Sequence, residues 1–522
     1  MTRPITKRKQ LDLLLTLDRA REAPDGLTRQ IYTQLREAIL NGRLRAGDRL
    51  PPSRELAAEL GVARLTVSTA YEWLHAEGYV YGRVGAGTFV ASAFGADTPS
   101  PRTGAARPAR SDPPPPAQRH QDARADEAPS HHPTPPAHVP LSAWARRIST
   151  IPLLGTRIGQ PEYPRYNFLP GAGAAEAFPW ARWRRIAGWP DPLDPRTDER
   201  ARARARAAGA GQWDALLGPL ETREAIAAWL RRSRAVRCTA EQVLIAGSVQ
   251  QVLALLARLL VEPGQRLLIE DPSYIGFHAA FLAEGAVLEG VPVDDAGLRV
   301  DALPAPHASA SQTAPRLAIV TPSHQYPSGV TLTLERRLAL LEWARRAGVV
   351  VVEDDYDGDL RLEGQPLEAL RGLDERDEVI YLGTFAKALY PAVRLAFAVL
   401  PRWLVEPVAR ARAASDRHPT WHDALAVAHF IEAGELERHL ARVRRIYRAR
   451  RDALVAALQA ELGGQVTVGP AEAGIHLQVL LPAGTNDVAL CAAAEARGIA
   501  VTPLSPHYQR APRVGILLGF GA

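Results

Sequence analysis

The sequence predicts a small α+β unit, a proline-rich connector and a large α/β domain with a mainly parallel sheet. Three observations predict it. Two short helical patterns and two short β patterns fall within residues 27–90. Between about residues 92 and 140 large apolar side chains are almost absent, and Pro113-Pro114-Pro115-Pro116 and His131-His132-Pro133 appear. From about residue 165 onward, helical patterns alternate with short apolar runs. A chain of 522 residues is expected to hold two or three domains. Its hydrophobic content of 46% allows a large buried core.

The small unit is read over 25–93. Its first helix is expected from Thr28 to Asn41, because Ile31, Leu35 and Ile39 recur four apart on one face, and Gly42 is the stop. Ser53 is a candidate cap for the next helix, with Leu56 and Leu60 facing the core. Gly61-Val62 makes a turn into a helix over Arg64–Leu74. Two short helices joined by a glycine-containing turn form a helix-turn-helix. Residues 79–81 and 88–90 read as strands, and the glycine-rich 82–87 between them forms a wing. The second helix of such a motif enters the major groove of duplex DNA. Arg64 then reaches a guanine edge, the hydroxyls of Thr66 and Ser68 reach base or phosphate, and Arg54 reaches phosphate. Gly85 and Gly87 let the wing backbone approach closely. A net charge of +6 and a pI near 9.4 are compatible with that partner.

The segment 94–145 reads as a disordered linker, since its composition cannot bury enough apolar surface to offset its ordering entropy. The large domain is read over 160–522. Strands are expected at 243–246, 266–270, 317–320, 349–353, 379–382 and 395–400. Apolar strands separated by helices imply a parallel sheet, whose ligands sit at the carboxyl ends of strands. Gly247, Ser248 and Val249 follow the first strand and open a helix, which suits a phosphate. Tyr274, after the second, offers a ring face to a flat ligand. Asp354 and Tyr356 share one side of their strand and can meet one ligand, with a solvated acidic turn or a divalent-metal site as the alternatives. No metal-ligand set is assigned. Thr384 and Arg394 can grip a phosphate dianion.

Between Thr384 and Arg394 lies Lys387. The chain has three lysines, and the other two are Lys7 and Lys9. Arginine supplies nearly all the remaining positive charge and meets the needs of the surface. A lysine amine can be neutralised and made nucleophilic, whereas arginine cannot. Lys387 is therefore the candidate for Schiff-base formation with an aldehyde. An aldehyde-binding lysine, a phosphate grip, a ring stack and an acid for a ring nitrogen together describe pyridoxal 5'-phosphate.

The motifs Leu50-Pro51-Pro52-Ser53-Arg54-Glu55-Leu56 and Gly85-Ala86-Gly87-Thr88-Phe89-Val90 resemble the winged helix of GntR-type bacterial regulators. Ala63 and Leu65 depart from that pattern, which usually has serine and a polar residue there. The strand-end groups, with Phe178-Pro179-Trp180, Ser323-His324-Gln325-Tyr326-Pro327-Ser328-Gly329 and Leu517-Leu518-Gly519-Phe520, resemble fold-type I aminotransferases. The whole is similar to the MocR/GabR-type regulators, which join the two. The resemblance implies a smaller subdomain from about residue 400 and a homodimer. Tyr326 stands where aminotransferases usually have asparagine, which favours a regulator over an enzyme. The arginine that holds a substrate carboxylate is missing from 515–519, and Arg513 is the nearest substitute. The expected function is a regulator of transcription with an amine, an amino acid or the cofactor itself as effector. A pyridoxal-phosphate-dependent aminotransferase with an accessory DNA-binding domain is the alternative.

No run of 18 apolar residues appears, so no membrane span is expected. The two cysteines, Cys238 and Cys491, give no disulfide framework. Together with the lack of a signal peptide, this places the protein in the bacterial cytoplasm, on the nucleoid through its DNA.

Overall fold

The computed structural model describes residues 15–17, 26–83, 86–91, 140–151, 164–187, 216–306, 314–364, 367–389, 393–417, 419 and 421–522. The chain divides into two compact units, Met1–Pro129 and Ser130–Ala522.

The first unit contains α1 (Gly26–Leu40), α2 (Ser53–Leu60), α3 (Arg64–Ala76), β1 (Val80–Arg83) and β2 (Gly87–Val90). Ile31, Leu35 and Ile39 of α1 pack against Leu56 of α2 and Val67, Ala70 and Leu74 of α3. Each such side chain contributes about 1.5–3 kcal/mol on leaving water. Gly61 ends α2 in the left-handed region at φ 62° and sends its amide back to the carbonyls of Ala57 and Ala58. Ser53 is not a cap: the helix starts on it after Pro52, with no side-chain cap bond. Its Oγ lies 3.5 Å from Arg64 Nε instead. β1 and β2 are antiparallel, with Val80 opposite Val90. Tyr81 and Phe89 stack at 5.9 Å, and the Arg83 guanidinium sits 5.5 Å from each ring.

In the second unit the elements follow in order. They are α4 (Ala143–Ile148), β3 (Tyr166–Asn167), α5 (Trp180–Ile186), α6 (Leu220–Ser233), β4 (Val243–Ala246), α7 (Val249–Leu260), β5 (Arg266–Asp271), α8 (Ile275–Ala283), β6 (Val287–Asp294), β7 (Gly297–Leu298) and β8 (Leu317–Val320). Next come α9 (Leu334–Ala347), β9 (Val350–Asp355), α10 (Leu370–Leu373), β10 (Val379–Thr384), α11 (Phe385–Ala388), β11 (Ala396–Val399), α12 (Arg402–Ser415), α13 (Trp421–Glu432) and α14 (Glu435–Leu462). β12 (Thr467–Val468), β13 (His476–Leu480), α15 (Asp487–Glu495), β14 (Ile499–Ala500), β15 (Thr502–Pro503) and β16 (Gly515–Gly519) complete the chain.

The main sheet runs β4-β11-β10-β9-β8-β5-β6-β7. Its strands are parallel except β11, antiparallel to β4 and β10, and β7, antiparallel to β6. Both faces are covered. Leu244, Ala246, Ile380 and Leu382 meet Leu253, Leu256, Phe281 and Leu404 from one helix layer. Val243, Ile245, Tyr381 and Phe397 meet Trp229, Leu230, Phe430 and Leu440 from the other. That is why these strands read as unbroken apolar runs rather than alternating ones. A second sheet, β12-β13-β16-β15, forms the smaller part after α14.

Two sequence readings meet residues at their edges. Most of 94–145 lies outside the described residues, but the chain is helical from Ala143. Ser142 Oγ caps α4, and Trp144 and Arg147 bond Glu284 Oε1 at 3.1 Å and the Ala283 carbonyl at 2.8 Å. The arginines are not only surface charge: Arg223, Arg234, Arg337, Arg371 and Arg412 are buried.

Candidate functional site

The carboxyl edge of the parallel strands gathers most of the candidate residues. Ala246 pairs with Ala396, and Ala396 with Thr384, so the ends of β4 and β10 and the start of β11 lie side by side. This brings Gly247, Ser248 and Val249 next to Arg394 and Thr384. A Cβ built on Gly247 would stand 4.0 Å from the Arg394 carbonyl oxygen. Ser248 Oγ caps α7 by accepting from Gln251 N at 3.1 Å, and the Gly247 amide donates to Gln251 Oε1 at 2.7 Å. Thr384 Oγ1 accepts from Ala386 N at 3.1 Å. The Arg394 residue is exposed.

One strand over, Asp354 pairs with Leu382. Its neighbours Glu353 and Asp355 face the other way and are anchored there. Glu353 accepts the amides of Leu370 and Arg371, both at 2.8 Å. Asp355 Oδ2 accepts from Arg234 Nε at 2.7 Å and from the Tyr381 hydroxyl at 2.6 Å. Arg234 also bonds Ser323 Oγ at 2.6 Å, which ties β9 to the loop after β8. Strand alternation then points Asp354 to the opposite side. Asp354 is buried and its Oδ1 has no partner among the described residues. Burial, followed by the charges of Asp355 and Asp357, pushes its pKa up to about 8.

Lys387 enters the same space from α11. Its Nζ donates to the Gly171 carbonyl at 3.1 Å. Burial lowers its pKa, against the opposing pull of Asp357 and Asp354. Gly171 holds φ 93°, and a Cβ there would lie 1.9 Å from Nζ. Only a glycine leaves room for the amine at this point. Tyr356 follows β9, with its hydroxyl 2.9 Å from His324 Nδ1. That nitrogen is also 2.8 Å from Asp357 Oδ2. Pairing with a carboxylate assigns the proton to Nδ1. The hydrogen of the Tyr356 hydroxyl is then free to donate to a ligand.

Tyr274 is 44% exposed, and the rings of Phe277 and Tyr326 lie nearly perpendicular to its own, each 5.5 Å away between centroids. Arg513 is exposed on the approach to β16. Among the described residues the charges acting on Lys387 are those of Asp357 and Asp354. The sequence reading passed over Gly171, which sits 216 residues from the lysine it touches and carries no local signal. It also passed over His324, Asp357 and His476, although His324 lies within a quoted motif.

In the first unit, Arg54, Arg64 and Gly87 are exposed and Thr66 and Ser68 are half-buried. The inner face of α3 is taken by Val67, Ala70, Tyr71 and Leu74. Gly87 holds φ 109°, and a Cβ there would lie 2.8 Å from Arg49 Nε. Gly85 lies outside the described residues.

Comparison with known proteins matches both units. Residues 27–90 fit the family "Bacterial regulatory proteins, gntR family", and residues 194–516 fit "Aminotransferase class I and II". The chain is 34% identical, over 97% of its length and 92% of the relative's, to the "Probable rhizopine catabolism regulatory protein MocR" of Rhizobium meliloti. It belongs to the MocR-type transcriptional regulators. It is also 29% identical, over 96% of its length and 93% of the relative's, to the "HTH-type pyridoxine biosynthesis transcriptional regulator PdxR" of Corynebacterium glutamicum. The second unit of this chain has the fold of aminotransferases. A solved α-aminoadipate aminotransferase, LysN of Thermus thermophilus, matches with TM-score 0.58 and 28% identity, covering 68% of this chain and 86% of that one. That structure holds N-(5'-phosphopyridoxyl)-L-leucine. No helix among the described residues is long and apolar enough to cross a membrane.

Proposed function

We propose that this regulator carries pyridoxal 5'-phosphate on Lys387 and that an amine-bearing small molecule, or the cofactor itself, sets its grip on duplex DNA. The observation that carries the reading is the unpartnered Oδ1 of buried Asp354, in the site that also holds the amine of Lys387. A buried carboxylate without a donor costs free energy unless a ligand brings one, and a protonated pyridine nitrogen does so. Bound there, the cofactor supplies an aldehyde that exchanges between amines.

The chain's own residues have distinct tasks. Lys387 would hold the aldehyde, and burial, which lowers its pKa, favours the free lone pair. Asp354 would hold the ring nitrogen and Tyr356 the ring oxygen. Tyr274 offers its ring face. Gly247, Ser248, Val249, Thr384 and Arg394 form the edge for the phosphate. An effector amine competes with Lys387 for the same carbon. Any resulting change in DNA affinity equals the difference in effector affinity between the DNA-competent and DNA-incompetent states. A homodimer would present two winged helices to two half-sites.

The test uses the full-length protein and a duplex selected by it from a random pool. DNA affinity is measured with cofactor and with a panel of amines, ω-amino acids among them. At least one amine should change Kd by about fivefold or more, and the change should vanish in Lys387→Ala. Equal responses in both proteins would remove Lys387 from effector sensing.

A further inference from the structure

Beside the cofactor site lies a second cluster with no assigned role. His324, Asp357 and His476 are all buried, and one donor atom from each lies within 4.8 Å of the other two. The two imidazole rings are 5.0 Å apart between centroids. Their hydrogen bonding fixes both tautomers. His324 Nδ1 is bonded to Asp357 Oδ2 at 2.8 Å. His476 is bonded to the backbone of Pro327, whose only hydrogen-bonding group is its carbonyl, so the imidazole nitrogen there must donate. The other nitrogen of each ring, Nε2, is buried without a partner among the described residues. Each ring thus donates one N–H to an oxygen and leaves the second nitrogen as an unused lone pair. That is the outer-sphere arrangement found around metal-bound histidines, where the second N–H is held by a carboxylate or carbonyl.

The backbone leaves the cluster room. A Cβ on Gly474 would stand 2.3 Å from His324 Cε1 and 2.4 Å from Asp357 Oδ2, and one on Gly329 would lie 3.5 Å from His324 Nε2. Both glycines hold positive φ, 74° and 80°. They draw the loop after β8, the turn after β9 and the approach to β13 together around the two rings.

We propose that the Nε2 atoms of His324 and His476 form a binding site for one divalent transition-metal ion of the zinc class, with Asp357 holding the far N–H of His324. Two imidazoles suit such an ion in four-coordinate geometry, with the remaining positions left to water or another small ligand. The site stands apart from the cofactor reading, since none of its three residues is among those assigned to the cofactor. It touches that site through Tyr356, whose hydroxyl meets His324, and through Tyr326, whose ring lies 5.1 Å from His476. Metal loading and cofactor loading are therefore linked, and each changes the other's affinity by the same factor.

The test is titration of chelator-stripped full-length protein with Co²⁺ and Zn²⁺. Stoichiometry is read by elemental analysis and geometry by the visible ligand-field bands of Co²⁺. One ion per chain is expected, with tetrahedral-type bands that Zn²⁺ abolishes. Asp357→Asn keeps the size and hydrogen-bonding reach of the side chain and should weaken Co²⁺ binding at least about tenfold. His476→Phe should abolish the bands. Circular dichroism shows whether each variant is folded, and if His476→Phe is not, Asp357→Asn decides. Absence of bands in the parent protein, or equal binding in parent and Asp357→Asn, overturns the proposal. The two nitrogens would then be satisfied by a buried water instead.

Discussion

Lys387 and Asp354 make the site chemically distinct, and each has a replacement that isolates its role. Gly171→Ala places a methyl 1.9 Å from the lysine amine at φ 93°, so the amine must move. The variant should take up pyridoxal phosphate at least about tenfold more slowly, for a barrier increase of about 1.4 kcal/mol, which stopped-flow absorbance reads directly. Asp354→Ala removes the carboxylate whose unpaired oxygen shares the site with Lys387. A charge-assisted hydrogen bond of about 1.5–3 kcal/mol is lost, and cofactor Kd should rise roughly 10- to 150-fold in equilibrium dialysis. A lysine standing alone among arginines was legible in the sequence, and so was the acid of Asp354. Gly171 was not, because its significance is a contact between distant parts of the chain.

Elements matter here by what they hold still. The loop after β8 is pinned by Glu270 at the end of β5. Its Oε2 accepts from the Thr321 amide at 3.1 Å and from Gln325 Nε2 at 3.2 Å, and the Thr321 hydroxyl adds a third bond. Among the described residues no cation pairs with this buried carboxylate, and burial pushes its pKa up to about 7 from an ordinary 4.5. A raised acid binds its proton more tightly in the folded state. Its contribution to stability is full below pH 4.5 and is lost as pH rises to about 7, by up to about 3 kcal/mol. Glu270→Gln should therefore lessen the fall in urea midpoint of the cofactor-free protein between pH 5 and 7.5. An unchanged pH profile would show that Glu270 is not the titrating group. Strand positions were readable from apolar runs because both sheet faces are covered. The antiparallel course of β11 was not, since an apolar run carries no direction. The cap assigned to Ser53 failed because Pro52 occupies the capping position and Arg64 engages the hydroxyl.

For the molecule as a whole, two units that match different families share one chain, and each is a readable module. Arg64 at the exposed start of α3 should matter to sequence choice, and Arg54 to affinity alone. Arg64→Ala should weaken binding to a selected duplex by about 1–3 kcal/mol, roughly 5- to 150-fold, with relaxed preference at one base position. Arg54→Ala should lower affinity for all duplexes alike and reduce the salt dependence by about one phosphate contact. The joining of a winged helix to an aminotransferase fold was legible because both halves carry dense local motifs. The clustering of His324, Asp357 and His476 was not, because the three residues come from separate elements. The central claim is that Lys387 is the cofactor-bearing residue of a regulator. Its most direct test is the near-ultraviolet and visible spectrum of wild type and Lys387→Ala with added pyridoxal phosphate, followed by borohydride reduction and peptide mapping. A visible band in wild type alone, fixed by borohydride on the peptide containing Lys387, is the predicted result. No band in wild type, or the same band in both proteins, would contradict it.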